Sequence, residues 1–331
     1  MKPGEDKLVE RIKYALGDSQ SASFQVRLGM GDDAALFRPR AGHELILTCD
    51  WFLEGTHFLR DKHPPDSVGW KCLARALSDI GAMGGTPRCF LLSLALPASC
   101  TRRWLDQFLA GLRHASRRFH CVLAGGDTAR REKILVNVTA VGEVRIGHAI
   151  RRRGAHPGDL IYASGRLGEA EWGLRQVKGS AKPVTLKNPA LKKHLYPVPR
   201  LALGQWLAEK RLATAMLDLS DGLSTDLPRL CAASGIGARI RATDIPRLPV
   251  SASKGLRSED LLRLALHGGD DYELLFTVPP KQARALPRSF RGLPLTQIGV
   301  ITPKKQILLL DDNGREQPLR PLGWDPFRSS R

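Results

Sequence analysis

Met216-Leu-Asp-Leu-Ser-Asp-Gly-Leu-Ser-Thr-Asp226 is the stretch on which the reading of the chain turns. The apolar run Ala213 to Leu217 leads into Asp218-Leu219-Ser220-Asp221-Gly222, and Leu223 to Leu230 carries a helical pattern. The spacing predicts a strand, a tight turn and a helix. Asp218 and Ser220, two apart at a strand end, point to one face. Gly222 gives the turn a residue that tolerates an unusual backbone angle. Two carboxylates and a hydroxyl so close together form an oxygen-rich nest of the kind Mg²⁺ prefers. A capped helix start explains the same residues, because Asp and Ser are common caps. Recurrence shifts the balance, since the same kind of cluster returns several times along the chain.

Toward the N-terminus, Gly29-Met-Gly-Asp-Asp-Ala-Ala35 sets Asp32 and Asp33 side by side between glycines and an apolar stretch. Adjacent like charges repel, which either a cation or a solvated turn relieves. Glu44 to Asp50 reads as a buried strand closed by a carboxylate, a ligand position or a simple cap. Trp51 to Phe58 carries Glu54 and His57 among aromatics, where a lone histidine is more often structural than catalytic. Val68, Cys72, Ala76, Ile80 and Met83 recur at helical spacing, so Asp66 to Met83 reads as one long helix. Asp79 lies near its C-terminal end among small and apolar residues. The helix dipole disfavours an anion there and burial of a lone charge is costly; a metal would resolve that strain.

In Cys121-Val-Leu-Ala-Gly-Gly-Asp-Thr128 a short apolar strand precedes two glycines, which let a backbone approach phosphate oxygens, and an Asp that can hold the accompanying metal. Gly268-Gly-Asp-Asp-Tyr-Glu-Leu-Leu-Phe-Thr277 repeats the order of glycines, acids and strand in the second half. Arg145 to Gly158 looks like an inter-domain junction. Arg152 there either reaches a phosphate or belongs to a solvated arginine run. Lys178 to Arg200 is polar, basic and proline-containing, and reads as a loop or excursion. The tail Gly323-Trp-Asp-Pro-Phe327 ends in aromatics; Trp324 either stacks on a ring or docks with the tail onto its own domain. No Walker-type loop occurs.

With 331 residues, 42% of them hydrophobic and 25% charged, the chain reads as soluble and of two-domain size. No apolar run approaches the roughly 20 residues that span a bilayer, and Met1-Lys-Pro-Gly-Glu-Asp-Lys7 lacks a signal-peptide core, so a cytoplasmic protein is expected. The six cysteines include no Cys-x-x-Cys pair and read as reduced core thiols. The net charge of +18 invites a nucleic-acid reading. However, the basic residues are scattered in short pairs without aromatic interleaving, which argues against it. Asp32, Asp33, Asp50, Asp79, Asp127, Asp218, Asp221, Asp270 and Asp271 are hard to explain together as caps. Several Mg²⁺ ions bridging a polyphosphate would neutralise them, which points to ATP-dependent phosphoryl transfer.

Gly31-Asp-Asp-Ala-Ala35, Thr48-Cys-Asp50 with Glu54-Gly-Thr-His-Phe58, Leu77-Ser-Asp-Ile-Gly-Ala-Met-Gly84, Gly125-Gly-Asp-Thr128, Asp218-Leu-Ser-Asp-Gly-Leu223 and Gly268-Gly-Asp-Asp-Tyr-Glu-Leu274 form an ordered set. That set resembles the thiamine-monophosphate kinase family, from about residue 5 to Trp324. The resemblance implies an α/β, two-domain aminoimidazole-ribonucleotide-synthetase-like fold. Residues 1–148 would form an ATP- and Mg-binding domain that dimerises through its sheet, and residues 149–331 a domain completing the active site. It implies transfer from ATP to thiamine monophosphate, giving thiamine diphosphate, the last step of that cofactor's biosynthesis. Metal ligands would be Asp33, Thr48, Cys49, Asp50, Asp79, Asp127, Asp218 and Asp221. Gly126, Asp127, Arg152 and Ser220 would meet ATP. His57, Asp270 and Trp324 would meet thiamine monophosphate, and no side chain would act as base. Cys49 stands where the family usually has Thr, so coordination there would either pass through the backbone carbonyl or be lost. Asp270 replaces the usual Glu. The rivals are another ATP-using synthetase of the superfamily and a basic nucleic-acid binder that has kept the fold.

Overall fold

The computed structural model describes residues 5–17, 25–30, 32–180, 189–250, 253 and 255–327; Gly31 of the first motif lies outside them. The chain divides into two compact units, one of Met1–Ile80, Gly85–Gly147 and Val177–Thr185, the other of Gly81–Gly84, His148–Gln176 and Leu186–Arg331.

The first unit runs α1 (Glu5–Leu16), β1 (Val26–Leu28), β2 (Leu36–Phe37), β3 (His43–Leu53), α2 (Pro65–Ala82), β4 (Thr86–Leu96), α3 (Arg103–Phe119), β5 (Val122–Arg130) and β6 (Leu135–Arg145). The sheet has the order β3-β6-β4-β5 and is antiparallel except between β4 and β5. Strand β3 alternates: Ile46 and Phe52 are buried, whereas Leu45, Leu47, Cys49 and Trp51 are exposed. The buried face lies under α2, whose Arg75 sits over the Phe52 ring. Asp50 therefore does not close a strand buried on both faces. Pairing with β6 continues to Leu53, because Trp51-Phe52-Leu53 keeps the period of two. Strand β5 likewise runs on through Gly125 and Gly126 to Arg130 instead of breaking into a loop. A Cβ at Gly126 would stand 2.0 Å from the Leu92 carbonyl oxygen, so that glycine serves the approach of β4.

The second unit runs β7 (Leu160–Ser164), α4 (Glu169–Gly179), α5 (Pro189–Leu195), α6 (Leu201–Glu209), β8 (Ala215–Leu219), α7 (Leu223–Ser234), β9 (Gly237–Arg241), α8 (Ser258–His267), β10 (Glu273–Val278), α9 (Pro280–Ala283), β11 (Ser289–Phe290), β12 (Leu293–Thr302), β13 (Ile307–Leu310) and β14 (Glu316–Pro318). Its sheet has the order β14-β13-β9-β12-β7-β10-β8, with β11 on β12. The strand–turn–helix at residues 216–226 forms as the spacing predicts, with Gly222 at φ +101°. All of β8 is buried. Ala215, Leu217 and Leu219 join a core with Leu223 and Leu227 of α7, while Met216 joins Leu203 and Leu207 of α6. By parity Asp218 shares the Met216 face, opposite Leu274. The segment read as a loop from Lys178 to Arg200 contains α5, with residues 181–188 outside the described set. Pro189 opens that helix, where its missing N–H costs nothing, and Ala190, Leu191 and Leu195 bury one side.

Helices α2 and α3 meet backbone to backbone. A Cβ on Gly111 would stand 1.8 Å from the Asp66 carbonyl oxygen, and one on Gly69 2.0 Å from that of Phe108. Ala at 111 would gain about 1 kcal/mol of helix propensity. The clash is with backbone, which cannot swing away, and overpacking costs about 1–3 kcal/mol. Gly111→Ala is therefore expected to lower the melting temperature, read by calorimetry; an unchanged or raised value would show that the helices separate freely.

Candidate active-site residues in the two units

In the first unit the candidates fall into two sets. Thr48 and Asp50 share the helix-covered face of β3. Thr48 Oγ1 donates to Asp79 Oδ2 at 2.5 Å, and Arg75 Nη2 lies 3.9 Å from Asp50 Oδ1. Asp79 sits in the last turn of α2, which carries no basic residue. The other set lies at the open face. The register places Asp127 beside Ser93, in the row that crosses Asn137 and Trp51. Asp32, Asp33, Gly126 and Asp127 line one cavity of about 690 Å³, together with Lys13, Leu91 and Thr139. These three carboxylates are exposed. Local amides cap two of them, Asp33 N–H on Asp32 Oδ1 at 2.9 Å and Thr128 N–H on Asp127 Oδ1 at 2.8 Å.

Cys49 is the one exposed cysteine, so the expectation of core thiols holds for the other five, all buried. Burial pushes the Cys72, Cys89 and Cys231 thiols up to about 12. The Cys49 Sγ faces away from Thr48 and Asp50, 3.2 Å from Asn137 Nδ2. The thiol thus takes no part in the Asp79 set. His57 closes the turn after β3, its Nδ1 accepting from Leu53 N–H at 3.0 Å, which leaves the neutral ring's proton on Nε2.

In the second unit Ser220, Asp221, Asp270 and Trp324 converge on one turn. Asp270 N–H donates to the Ser220 carbonyl at 2.8 Å and Trp324 N–H to the Asp221 carbonyl at 2.9 Å. Arg229 bridges Asp221 Oδ2 at 2.5 Å and Asp226 Oδ1 at 2.7 Å. Burial, helped by the Asp221 charge, pushes the Asp226 carboxyl up to about 6. Asp218 is buried in the strand leading to this turn. Asp270 adopts φ +68° and accepts from Tyr272 Oη at 2.7 Å. Arg152 does not join this group. Its carbonyl accepts from Ser234 Oγ at 3.3 Å, at the far end of α7, a helix about 18 Å long.

The sequence reading missed the charged network beneath the turn. Glu273 is fully buried, with Arg200 Nη2 at 2.5 Å, Lys193 Nζ at 2.9 Å and Ser164 Oγ at 2.5 Å. Burial alone would raise its pKa, but Lys193 and Arg200 hold it below the ordinary value. Asp271, grouped above with the metal-seeking acids, is instead a buried cap. It accepts from Gly168 N–H at 2.5 Å and Ala170 N–H at 3.1 Å at the start of α4, and burial pushes its carboxyl up to about 6. Glu273 directly after Gly-Gly-Asp-Asp-Tyr was visible as an acid opening an apolar strand; Lys193 and Arg200 lay in the segment read as a loop.

Among the described residues no group of three or more His, Cys, Asp and Glu side chains is arranged to hold a metal ion by itself. The family model of the AIR synthase related protein N-terminal domain matches residues 31–144, and that of the C-terminal domain residues 156–311. The thiamine-monophosphate kinase of Escherichia coli K12 is 38% identical over 314 residues, covering 93% of this chain and 94% of its own. The crystal structure of thiamine-monophosphate kinase from Stenotrophomonas maltophilia K279a superposes with a TM-score of 0.83 at 35% identity, covering 96% of this chain and 99% of that one. A further structure, AaThiL complexed with AMPPCP and TMP, gives 0.76 at 29% identity, covering 98% and 97%.

Removing Glu273 would leave Lys193 and Arg200 buried without their shared counter-ion. Glu273→Ala is expected to destabilise the protein by about 3–5 kcal/mol, read from denaturant midpoints. Asp270→Ala, at a more exposed carboxylate, should cost far less. Equal losses would mean that the buried network carries no special weight.

Proposed function

The chain belongs to the thiamine-monophosphate kinase family, and from that premise we propose that it transfers the γ-phosphoryl group of ATP to thiamine monophosphate by direct in-line displacement, releasing thiamine diphosphate and ADP. The observation that carries the reading is the cavity where Asp32, Asp33 and Asp127 stand exposed around Gly126. Three carboxylates face this cavity against one lysine, Lys13, and the remaining repulsion is relieved when a further cation joins them. Their donors are all hard oxygens, which fits Mg²⁺. That ion usually keeps waters and takes one or two carboxylates plus substrate phosphates, so a side-chain cage is not required.

In this reading Asp33 and Asp127 would hold one share of the magnesium, and Thr48, Asp50 and Asp79 another, with the Cys49 carbonyl beside them. Asp218 and Asp221 would supply ligands from residues 149–331. Magnesium, when bound, would offset the charge of the polyphosphate and polarise the transferring group. Gly126 and Ser220 bring backbone and hydroxyl groups to the nucleotide. Arg152 belongs to the nucleotide side too, though anchored apart from the Ser220 turn. His57, Asp270 and Trp324 address the acceptor. The attacking oxygen belongs to a phosphate monoester with a second pKa near 6, so it is already ionised at neutral pH and needs no base. The residues of the chain therefore position two phosphates and stabilise charge, which is the work phosphoryl transfer asks of a protein.

Residues 1–148 are also proposed to dimerise through their sheet. Leu45, Leu47, Trp51 and Leu91 are 43%, 67%, 54% and 39% exposed on one face, beside a long edge strand. A second copy of the chain is the natural cover for such a surface. Among the described residues no helix is long and apolar enough to cross a membrane, and the proposed site of action is the cytoplasm.

Purified protein given Mg-ATP and thiamine monophosphate is expected to form thiamine diphosphate, followed by chromatography, with free thiamine as the inert control. Absence of product from thiamine monophosphate, with ATP still bound, would overturn the substrate assignment. Asp127→Asn should lower turnover by about two orders of magnitude or more while circular dichroism is unchanged. Near-normal turnover would remove Asp127 from the site. Leu47→Glu should convert a dimer to a monomer in light scattering; a persisting dimer would place the interface elsewhere.

A further inference from the structure

We infer that Ser224 and Thr225 are positioning residues for the acceptor substrate, their hydroxyls holding the tail that presents Trp324. The inference rests on the reading of Trp324 as an acceptor contact and adds the residues through which that contact is set.

Three consecutive tail amides are taken up at the start of α7. Leu322 N–H donates to Ser224 Oγ at 3.3 Å, Gly323 N–H to Thr225 Oγ1 at 3.1 Å, and Trp324 N–H to the Asp221 carbonyl at 2.9 Å. The approach is close enough to demand glycine: a Cβ on Gly323 would stand 2.0 Å from the Asp221 carbonyl oxygen and 2.5 Å from Thr225 Oγ1. Ser224 is fully buried, and its hydroxyl also lies 2.8 Å from His267 Nδ1. One hydroxyl thus accepts from the tail and shares a hydrogen bond with the histidine at the end of α8, from which the loop to Asp270 departs. The consecutive carbonyls of Ser220 and Asp221 receive the amides of Asp270 and Trp324. Both proposed acceptor contacts hang from the same turn.

The exposure of the ring decides what this docking is for. A tail fixed only for stability would bury its tryptophan, since that is the largest apolar gain on offer. Here the backbone is held at three points while Trp324 as a residue stays 46% exposed. An immobilised backbone carrying an open aromatic face is a pre-organised stacking platform, whose ordering cost is met before a ligand arrives. The motif then has two tasks. Its carboxylates, Asp218 and Asp221, would serve the phosphate side, and its hydroxyls, Ser224 and Thr225, the organic side.

Steady-state kinetics with both substrates varied tests the inference. Trp324→Ala comes first and is expected to raise KM for thiamine monophosphate roughly tenfold, as loss of a ring stack implies, with KM for ATP kept. An unchanged KM would remove Trp324 from the acceptor site and the premise with it. Given that rise, Thr225→Val is expected to raise the same KM by about fivefold, the equivalent of one net hydrogen bond, and Thr225→Ser to restore it. The double variant should match Trp324→Ala alone, because Thr225 acts through the ring. A normal KM in Thr225→Val, or fully additive losses in the double variant, would overturn the positioning role while leaving Trp324 in place. If Thr225→Val fails to fold, Gly323→Ala displaces the tail while leaving the sequence of α7 unchanged. It should raise the same KM, and a normal value there would equally overturn the role.

Discussion

A fully buried carboxylate, Glu273, sets the terms for the second unit. Its desolvation would be prohibitive alone, and the structure meets it with Arg200, Lys193 and Ser164. Those partners come from the start of α6, from α5 and from β7, so one charge ties three elements to the first residue of β10. Lys193 also lies 3.7 Å from Asp271 Oδ1, and Asp271 caps α4. The loop between α8 and β10 is thereby held at Asp271 and at its β10 end. Only a loop so over-determined keeps Asp270 and Tyr272 in the left-handed region, at φ +68° and +50°, where non-glycine residues are uncommon. The position of Asp270 is a consequence of the network beneath it.

A different balance governs the cavity of the first unit, where the acids stay wet, although Glu143 elsewhere in that unit is buried against Arg40 and Arg88. Asp32, Asp33 and Asp127 keep solvent exposure and so pay little desolvation; Lys13 shares their cavity, one cation against three carboxylates among the described residues. The second unit neutralises its acids internally, Asp221 and Asp226 through Arg229, and Glu273 through Lys193 and Arg200. The contrast explains why acids of similar sequence grammar have different chemistry. Glycine–acid–strand occurs at Asp32-Asp33 and again at Asp270-Asp271, yet the first pair opens to a cavity and Asp271 of the second is a buried helix cap. Carboxylate recurrence alone overstates how many acids serve a common centre.

Much of this was legible in the sequence where period and punctuation agree. The stretch from Met216 to Asp226 gave its strand, its positive-φ glycine and its helix because each local preference points the same way. The ordered motifs gave the family. What stayed hidden depends on partners distant in the chain. Helix α5 was masked by prolines and lysines, and only Glu273, some eighty residues on, shows why Lys193 is there. The continuation of β5 through two glycines was unreadable for a similar reason: the demand for Gly126 comes from Leu92 on the neighbouring strand. Asp50 looked like a strand end because an apolar run stops there, while the pairing partner, β6, continues.

Strand β3 shows how one element serves two surfaces without compromise. Its period of two sends Thr48 and Asp50 toward α2 and Asp79, and Leu45, Leu47, Cys49 and Trp51 to the open face. A slip of one residue would exchange the two sets entirely, so eleven paired positions along β6 fix both surfaces at once. The same parity disposes of the difficulty that a thiol poses at Cys49. A neutral thiol is a poor ligand for a hard cation. Here it points away from the carboxylates toward Asn137 and Thr139, and only its backbone faces the question of coordination. Exchanging Thr for Cys at that position alters the open face of the sheet and leaves the Thr48–Asp79 contact as it was.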